Sequence, residues 1–227
     1  MSEARLHIFD LDSTLIAGDS DQLWKHYAAR HGLASPDAVA RADHYLELYD
    51  RGELDDREFL AFQLEEFVGR TVEEVRAMTQ AYFDEFLLPR VYPEAKELID
   101  SLRSRGLPTA ILTATNTALA APCGAYFRVN DLLGTTLEVV DNRYTGGLSG
   151  EYVLGEGKIR VAAAYAARYG LSLAETAYYG DSINDAPILG AVGFPTAVNP
   201  APALRDLALR EGWAIRDFRP PVLSQKN

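Results

Sequence analysis

The sequence predicts an α/β fold, namely a doubly wound parallel sheet with a helical-bundle cap inserted after the first strand. From about residue 89 onward, short apolar runs alternate with segments of helical periodicity. That alternation indicates parallel strands joined by right-handed crossovers. Residues 20–88 show only helical patterns joined by short turns, which is typical of a small bundle. We therefore expect a core formed by residues 1–16 and 89–227 and a four-helix cap at residues 17–88.

The individual elements follow from the spacing of apolar residues and from capping signals. The first strand is predicted at about residues 5–11, and the cap helices at about 21–31, 35–52, 55–68 and from residue 71 to about 88. Thr71 and Glu74 match a capping box, which places the start of the fourth helix. In the core, strands are predicted at 108–113, 126–129, 176–179 and 192–198, a hairpin at 137–146, and helices at 93–105, 157–169 and 202–211.

Composition limits the classes of function. The chain has 227 residues, of which 48% are hydrophobic, so it can bury a sizeable core. Its 22 basic and 33 acidic residues give a net charge of −11, which opposes binding to nucleic acid or to an anionic membrane. Cys123 is the single cysteine, which excludes an intrachain disulfide, and we expect it to be a buried structural thiol. No signal-peptide pattern and no apolar run of membrane-spanning length is present, so we expect a cytoplasmic protein.

The first strand ends in a group of polar residues. Leu6–Phe9 is apolar, and Asp10, Asp12 and Thr14 follow at every second position. In open α/β sheets, ligands bind at the carboxyl ends of the strands. Two carboxylates held side by side there repel each other unless a cation lies between them. An ordinary Asp/Ser/Thr turn is the alternative explanation.

Three further polar groups follow in the chain. Thr113 ends the second core strand, Lys158 lies at a helix start, and Asp181, Asn184 and Asp185 follow the strand that ends at Gly180. Each has an ordinary alternative: a strand-end hydroxyl, a solvated lysine or a capped turn. Because parallel strands bring their carboxyl ends to one edge of the sheet, the strand-end groups are expected to converge. Together they favour one site.

In this order, the four groups resemble the DxDxT, Ser/Thr, Lys and GDxxND signatures of the haloacid dehalogenase superfamily. The helical insert after the first signature resembles the phosphoserine phosphatase branch, and the resemblance covers essentially the whole chain. It implies a Mg²⁺-dependent phosphomonoesterase that forms an aspartyl-phosphate intermediate.

The resemblance also implies the role of each residue. Asp10 would be the nucleophile and a metal ligand, and Asp12 the general acid and base, with its backbone carbonyl on the metal. Thr113 and Lys158 would bind the phosphoryl oxygens, and Asn184 would orient the phosphoryl group. Asp181 would be a direct metal ligand, and Asp185 would act on the metal directly or through its neighbours.

The charge count supports a metal independently of the resemblance. Asp10, Asp12, Asp181 and Asp185 face one cation, Lys158. The resulting excess of about three negative charges would repel a phosphate group, and a divalent hard cation would remove most of it. Mg²⁺ suits such a site because it binds one or two carboxylates, waters and a substrate oxygen.

Substrate choice is expected to depend on the cap. The resemblance implies an acid in the cap for the substrate's ammonium group, and Asp19 matches it. It also implies a Phe and then an Arg for the substrate's carboxylate, where this chain has Asp56 and Gln63; Arg57 and Arg70 are the alternative cations. Glutamine cannot form a charged bidentate pair with a carboxylate. We therefore expect an amino-alcohol phosphate such as histidinol phosphate, with phosphoserine as the alternative substrate.

Functions of other classes are less consistent with the residues. A phosphoacceptor signalling module would lack the large insert and the Gly-Asp-x-x-Asn-Asp stretch, and a silent scaffold would lack catalytic residue types that are all present here. Dehalogenase and phosphonatase chemistry would not need Asp12, the acid that an alcohol leaving group requires. An ion-pumping ATPase would need membrane spans. The expected partner is a small phosphorylated metabolite, and the sequence leaves the oligomeric state open.

Overall fold

The computed structural model describes residues 3–51, 53–150 and 152–221. Its centre, over these residues, is a six-stranded parallel sheet with the strand order β3-β2-β1-β6-β7-β8. The strands are β1 (Leu6–Phe9), β2 (Thr109–Asn116), β3 (Asp131–Thr135), β6 (Thr176–Gly180), β7 (Phe194–Val198) and β8 (Ala214–Arg216). The remaining two strands, β4 (Leu137–Val140) and β5 (Arg143–Leu148), form an antiparallel hairpin.

Helices cover both faces of the sheet. They are α5 (Pro93–Ser104), α6 (Thr117–Phe127), α7 (Glu156–Arg168), α8 (Ala186–Ala191) and α9 (Pro202–Glu211). Leu6 and Ile8 of β1 pack into a hydrophobic cluster with α7, α8 and α9, whereas Phe9 packs into a second cluster with α5 and α6. Successive side chains of a strand point to opposite faces, so this division places one layer of helices on each side. The predicted doubly wound α/β fold is confirmed.

Four helices follow β1 in the described part of the chain. They are α1 (Ser20–Arg30), α2 (Ala38–Arg51), α3 (Asp56–Gln63) and α4 (Val72–Tyr82), and short helical turns at Phe83–Leu87 and Leu88–Arg90 return the chain to the core. The predicted capping box at Thr71 and Glu74 is present. Trp24 packs edge-on against Phe67 and Tyr82, and these rings belong to the same hydrophobic cluster as Phe9 of the sheet. Apolar packing is thus continuous between the insert and the core, and the division into two domains stays a prediction.

Two strands differ from the sequence prediction. Residues 126–129 were expected to form a strand, but Tyr126 and Phe127 end α6 and Arg128 adopts a left-handed backbone conformation with φ 54°. Phe127 is fully buried there, so core packing outweighs the β propensity of this run. The next strand begins at Asp131. The edge strand β8 was not expected, because a run of three residues is too short to give a clear period.

The composition led to expectations about Cys123 and about membrane-spanning helices. Cys123 is buried in the second cluster, with Phe9 and α6, and burial raises the pKa of its thiol. None of the described helices combines the length and apolar character that crossing a bilayer would need.

Candidate active site

The carboxyl edge of the sheet brings together the acidic residues and the lysine that the motifs singled out. Asp10 follows β1 directly, and its N–H donates to the carbonyl oxygen of Tyr179 in β6 at 2.8 Å. Lys158 lies in the first turn of α7, on the face that packs against β1 and β6. Asp10 is 8% exposed and Lys158 is 5% exposed. A carboxylate and an ammonium that are 148 residues apart in sequence therefore meet in a largely buried site.

Lys158 is held by three oxygen atoms. Its Nζ lies 3.0 Å from Asp10 Oδ1, 2.8 Å from Asp185 Oδ1 and 3.2 Å from the Tyr178 hydroxyl. The Tyr178 hydroxyl also donates to Asp185 Oδ1 at 2.9 Å. Burial opposes the charged form of Lys158, yet Asp10 and Asp185 together hold its pKa well above the usual value. Lys158 is thus a fixed positive charge beside Asp10.

Asp10, Asp181 and Asp185 form a group that fits a metal ion. Each offers a carboxylate oxygen, and these three oxygens lie within 4.8 Å of one another. Asp185 Oδ2 is buried and has no hydrogen-bond partner among the described residues. Such an orphaned buried oxygen, in a set made only of carboxylates, is suited to a hard cation such as Mg²⁺.

The charges in this group disfavour one another. Burial raises the pKa of Asp10 to about 7, opposed by Lys158 and increased by Asp185. Burial, followed by the charges of Asp10 and Asp185, also holds the pKa of Asp181 well above its usual value. Three neighbouring carboxylates with one ammonium retain excess negative charge, which a bound cation would offset.

Asp12 lies outside this carboxylate group. Its Oδ1 accepts from the N–H of Ser20 at 2.7 Å, and its Oδ2 accepts from the Thr115 hydroxyl at 3.0 Å. Burial, then the charges of Asp19, Asp21 and Asp10, hold the pKa of Asp12 well above its usual value. The raised pKa favours the protonated carboxyl group, which is the form that can donate a proton to a leaving group.

Four residues of the site, Thr115, Asp21, Tyr178 and Gly180, were given no role in the sequence analysis. Thr115 touches Asp12 and lies 3.4 Å from Asp21 Oδ2, and burial, followed by the charge of Asp19, raises the pKa of Asp21 to about 8. Tyr178 contacts Lys158 and Asp185. The sequence carried a signal for Thr115, because it follows Thr113 in a short run of hydroxyl residues. It carried one for Tyr178 and Gly180 as well, because residues two apart in β6 lie on the same face of the strand. Asp21, by contrast, resembles an ordinary acidic residue at the start of a helix.

Gly180 begins the predicted Gly-Asp-x-x-Asn-Asp stretch, but the sequence analysis gave it no role of its own. A Cβ atom at this position would lie 2.4 Å from Asp185 Oδ2 and 2.9 Å from a ring carbon of Tyr178. Only glycine lets the strand pass this close to the Asp185 carboxylate.

A cavity of about 390 Å³ opens above these residues and is shared by the core and the cap. Its wall includes six carboxylate residues, Asp10, Asp12, Asp19, Asp21, Asp181 and Asp185, together with Thr113 and Thr115. Among the described residues that line it, Lys158 is the only cation. The cap contributes an apolar wall of Ala42, Tyr45, Leu46, Leu54 and Phe59. The cavity is therefore strongly acidic at one end and apolar at the other.

The expected substrate residues lie in different places. Asp19 lines the cavity, and its Oδ1 also accepts from the N–H of Gln22 at 2.7 Å, which caps α1. Gln63 lines the cavity from the end of α3 and is 4% exposed. Asn184 lies in the turn after β6 but is not one of the described residues of the cavity wall. The side chain of Asp56 lies outside the described part of the chain, and Arg57 and Arg70 do not line the cavity as described.

Comparisons with known proteins found a family profile, relatives and a solved structure that match this chain. The profile of haloacid dehalogenase-like hydrolases matches residues 8–190. A histidinol-phosphatase of Neisseria meningitidis is 34% identical over 219 residues, which cover 94% of this chain and 99% of the relative. A phosphoserine phosphatase of Mycobacterium tuberculosis is 35% identical over 219 residues, covering 93% of this chain and 70% of the relative. A crystal structure of a protein of unknown function from Bordetella pertussis has a TM-score of 0.87 and 35% identity, covering 95% of this chain and 99% of that one.

Proposed function

Because the chain belongs to the family of haloacid dehalogenase-like hydrolases and is a phosphatase, we propose that it hydrolyses the phosphate monoester of a small amino alcohol without a carboxylate, such as histidinol phosphate. The observation that carries this proposal is the charge of the cavity, where six carboxylate residues and one lysine line the wall. The acidic wall favours a cationic tail, and the single lysine is next to Asp10, where the phosphoryl group would bind.

Asp10 is the proposed nucleophile. A carboxylate oxygen of Asp10 attacks phosphorus, the bond between phosphorus and the ester oxygen breaks, and an aspartyl-phosphate forms. The leaving alkoxide takes a proton from the Asp12 carboxyl group. Asp12, now a carboxylate, then accepts a proton from a water molecule that attacks the same phosphorus, which releases inorganic phosphate and restores Asp10.

The other residues of the edge hold the phosphoryl group. Lys158 offers an ammonium 3.0 Å from Asp10 Oδ1, so it can donate to a phosphoryl oxygen bound beside that carboxylate. Thr113 lines the cavity on the β2 side, with its Oγ1 already accepting from the N–H of Thr115 at 3.1 Å, and its hydroxyl proton is available for a second phosphoryl oxygen. Asn184 stays a prediction from the resemblance.

Asp10, Asp181 and Asp185 are the residues that would hold Mg²⁺, with the backbone carbonyl of Asp12 added on the resemblance alone. When bound, such a cation supplies positive charge that offsets the carboxylates and the phosphoryl oxygens. Thr14 supports this set from behind, because its hydroxyl lies 3.4 Å from Asp181 Oδ1.

The substrate class depends on the absence of a second cation in the described wall. A phosphoserine carboxylate in this cavity would face acidic residues, the apolar cap wall and the Gln63 amide. A charge-assisted pair contributes about 1.5–3 kcal/mol, so its absence costs phosphoserine roughly tenfold to over a hundredfold in kcat/KM. Phosphoserine is the second candidate, favoured by the name of the Mycobacterium tuberculosis relative.

The test is a comparison of kcat/KM for L-histidinol phosphate and L-phosphoserine at the same Mg²⁺ concentration. We expect histidinol phosphate to be preferred at least tenfold, and Asp10→Asn to abolish phosphate release from both. A tenfold preference for phosphoserine would show that the chain is a phosphoserine phosphatase. Turnover of both esters by the Asp10→Asn variant would place the activity outside this site.

A further inference from the structure

We propose that the cap side of the cavity is a subsite for a planar, nitrogen-containing ring on the substrate's tail. In this subsite, Tyr45 and Phe59 pack against the ring and the Gln63 amide oxygen accepts a hydrogen bond from a ring N–H. The inference rests on the proposed function, because it concerns the tail of an ester whose phosphate lies at Asp10. The charge of the cavity accounts for the phosphate and the ammonium group, whereas this subsite accounts for the ring.

The subsite is built from one face of each of two helices. Ala42, Tyr45 and Leu46 lie at positions i, i+3 and i+4 of α2, and Phe59 and Gln63 lie at i and i+4 of α3. Residues at these spacings are neighbours on one helix face. All five line the cavity. The two helices therefore present a continuous wall rather than isolated side chains.

The aromatic rings of this wall are fixed in place but remain accessible. Tyr45 packs against Phe59 with ring centroids 5.6 Å apart and against Phe62 with centroids 5.1 Å apart. Phe62 is fully buried, and Lys25 Nζ and Arg41 Cζ lie 4.1 Å and 4.4 Å from its ring centre. Tyr45 and Phe59 are only partly buried. Aromatic rings that are held by neighbouring rings and remain partly exposed to a cavity are suited to offset or edge-on packing with a further ring.

Gln63 supplies the polar contact. Its side chain is buried, and its Oε1 has no hydrogen-bond partner among the described residues. A buried acceptor without a partner destabilises the folded chain, so an N–H from a ligand at this point would supply a hydrogen bond that none of the described residues makes. The carboxylate of a substrate cannot make this contact with Oε1, because both groups are acceptors.

The position of Gln63 is fixed by a buried ion pair beneath it. Lys25 Nζ donates to the carbonyl oxygen of Phe62 at 2.5 Å and to Glu66 Oε2 at 2.6 Å. Trp24 Nε1 also donates to Glu66 Oε2, at 3.0 Å. These bonds tie the carboxyl end of α3 to α1, so the Gln63 backbone is held on both sides. A rigid frame of this kind lowers the entropy cost of ordering the side chain around a ligand.

The cavity matches an ester with three distinct parts. In this arrangement the phosphate lies at Asp10 and Lys158, the ammonium group near Asp19, and the ring against the cap wall. A volume of about 390 Å³ is within the range of small-molecule sites and has room for such a tail. An ester that ends at the ammonium group would leave the apolar wall in contact with water.

The contribution of the ring to kcat/KM can be measured with two esters that share the phosphate and the ammonium group. These are L-histidinol phosphate, which has an imidazole ring, and O-phosphoethanolamine, which has none. We expect wild-type kcat/KM to be roughly tenfold or more higher for the ring ester. Phe59→Ala should reduce that preference by about tenfold, and Gln63→Leu by about fivefold, because the loss in kcat/KM is larger for the ring ester than for O-phosphoethanolamine. Gln63→Glu keeps an acceptor and should retain the preference.

Phe86→Ala is the matched control, because Phe86 is a partly buried aromatic residue of the same region that packs on Tyr27 and Tyr82 without lining the cavity. The Phe86→Ala variant should leave the ratio of kcat/KM for the two esters unchanged. Inhibition of the wild-type chain by L-histidinol but not by ethanolamine gives a second readout that does not depend on variants folding.

The outcomes distinguish a failure of the ring subsite from a failure of the proposed substrate class. Equal wild-type kcat/KM for the two esters, or equal losses on both in Phe59→Ala and Gln63→Leu, would refute the ring subsite and leave the phosphatase intact. Equal inhibition by L-histidinol and ethanolamine would also refute it. Hydrolysis of neither ester by the wild-type chain would refute the proposed substrate class and the subsite with it.

Discussion

Replacing Gly180 with alanine tests whether the close approach of β6 to Asp185 shapes the site. The added Cβ would lie 2.4 Å from Asp185 Oδ2 and 2.8 Å from its Cγ. Carbon atoms in contact are normally about 3.5–4.0 Å apart, so the carboxylate must move by about 1 Å. A shift of that size removes the bonds of 2.8 Å to Lys158 and 2.9 Å from Tyr178, because both end on Asp185 Oδ1.

These contacts set the expected loss of stability and of metal affinity in the Gly180→Ala variant. Overpacking of a buried site costs about 1–3 kcal/mol, which for a chain of this size lowers Tm by roughly 2–12 °C. Displacing a residue that supports a metal site lowers metal affinity by about 10–100-fold. We therefore expect Gly180→Ala to fold, to melt a few degrees lower, and to need about 10–100 times more Mg²⁺ for half-maximal activity.

Two other glycines give matched controls for the same substitution. At Gly190, in α8, the nearest atom to a new Cβ is a Trp213 ring carbon at 3.8 Å, so Gly190→Ala should leave activity unchanged and stability equal or slightly higher. At Gly193, the new Cβ would lie 2.0 Å from the backbone oxygen of Ala174. Gly193→Ala should therefore lower Tm without changing the Mg²⁺ dependence of the folded fraction.

The assay is phosphate release at increasing Mg²⁺ concentration, together with thermal unfolding followed by circular dichroism. The reasoning would be refuted if Gly180→Ala kept the wild-type Mg²⁺ dependence and kcat. It would also be refuted if Gly193→Ala shifted the Mg²⁺ dependence as strongly, since the effect would then reflect general destabilisation.

The remaining predictions concern the nucleophile, the metal, the cap and a buried acid. Asp10→Asn should abolish phosphate release while Tm stays at or above the wild-type value, because a buried charge is removed; residual kcat of more than a few per cent in a deamidation-free sample would contradict this. Activity should be lost on chelation, restored by Mg²⁺ and poorly restored by Ca²⁺, which prefers more ligands in a looser geometry; full activity after exhaustive chelation would exclude a metal. Gln63→Arg should shift kcat/KM towards L-phosphoserine by roughly tenfold or more, since it supplies a cation for the carboxylate, and an unchanged ratio of the two esters would place the carboxylate elsewhere. Burial and Asp19 raise the pKa of Asp21 to about 8, above its ordinary value of 3.8. The folded chain therefore retains this proton at pH values where the unfolded chain has lost it, and stability falls as the pH rises from about 4 to about 8. Asp21→Asn should remove that part of the slope in urea unfolding at pH 5 and pH 8, and parallel curves for the two proteins would contradict the shift.

The sequence by itself determined the fold class and where the polar motifs lie along the chain. Asp10 and Asp181 follow apolar strands, and the carboxyl ends of parallel strands share one edge whatever the details of packing. Capping residues also fixed local boundaries, as with Thr71 and Glu74 at the start of α4. These features depend on neighbours in sequence or on a rule of sheet topology, so no side-chain packing was needed to predict them.

Only the tertiary structure decided which side chains touch the predicted ones. The hydroxyl of Tyr178 on Lys158, Thr115 beside Asp12, and the passage of Gly180 against Asp185 each depend on distances of a few ångströms between side chains and backbone. Tyr126 and Phe127 joined α6 rather than a strand because burial of Phe127 outweighed local propensity. Likewise, only the packed structure shows that Gln63 Oε1 is buried with no hydrogen-bond partner among the described residues, beside the contacts of Lys25 with Phe62 and Glu66. Residues far apart in sequence set these contacts, and their separation is fixed only when the helices and the sheet have packed.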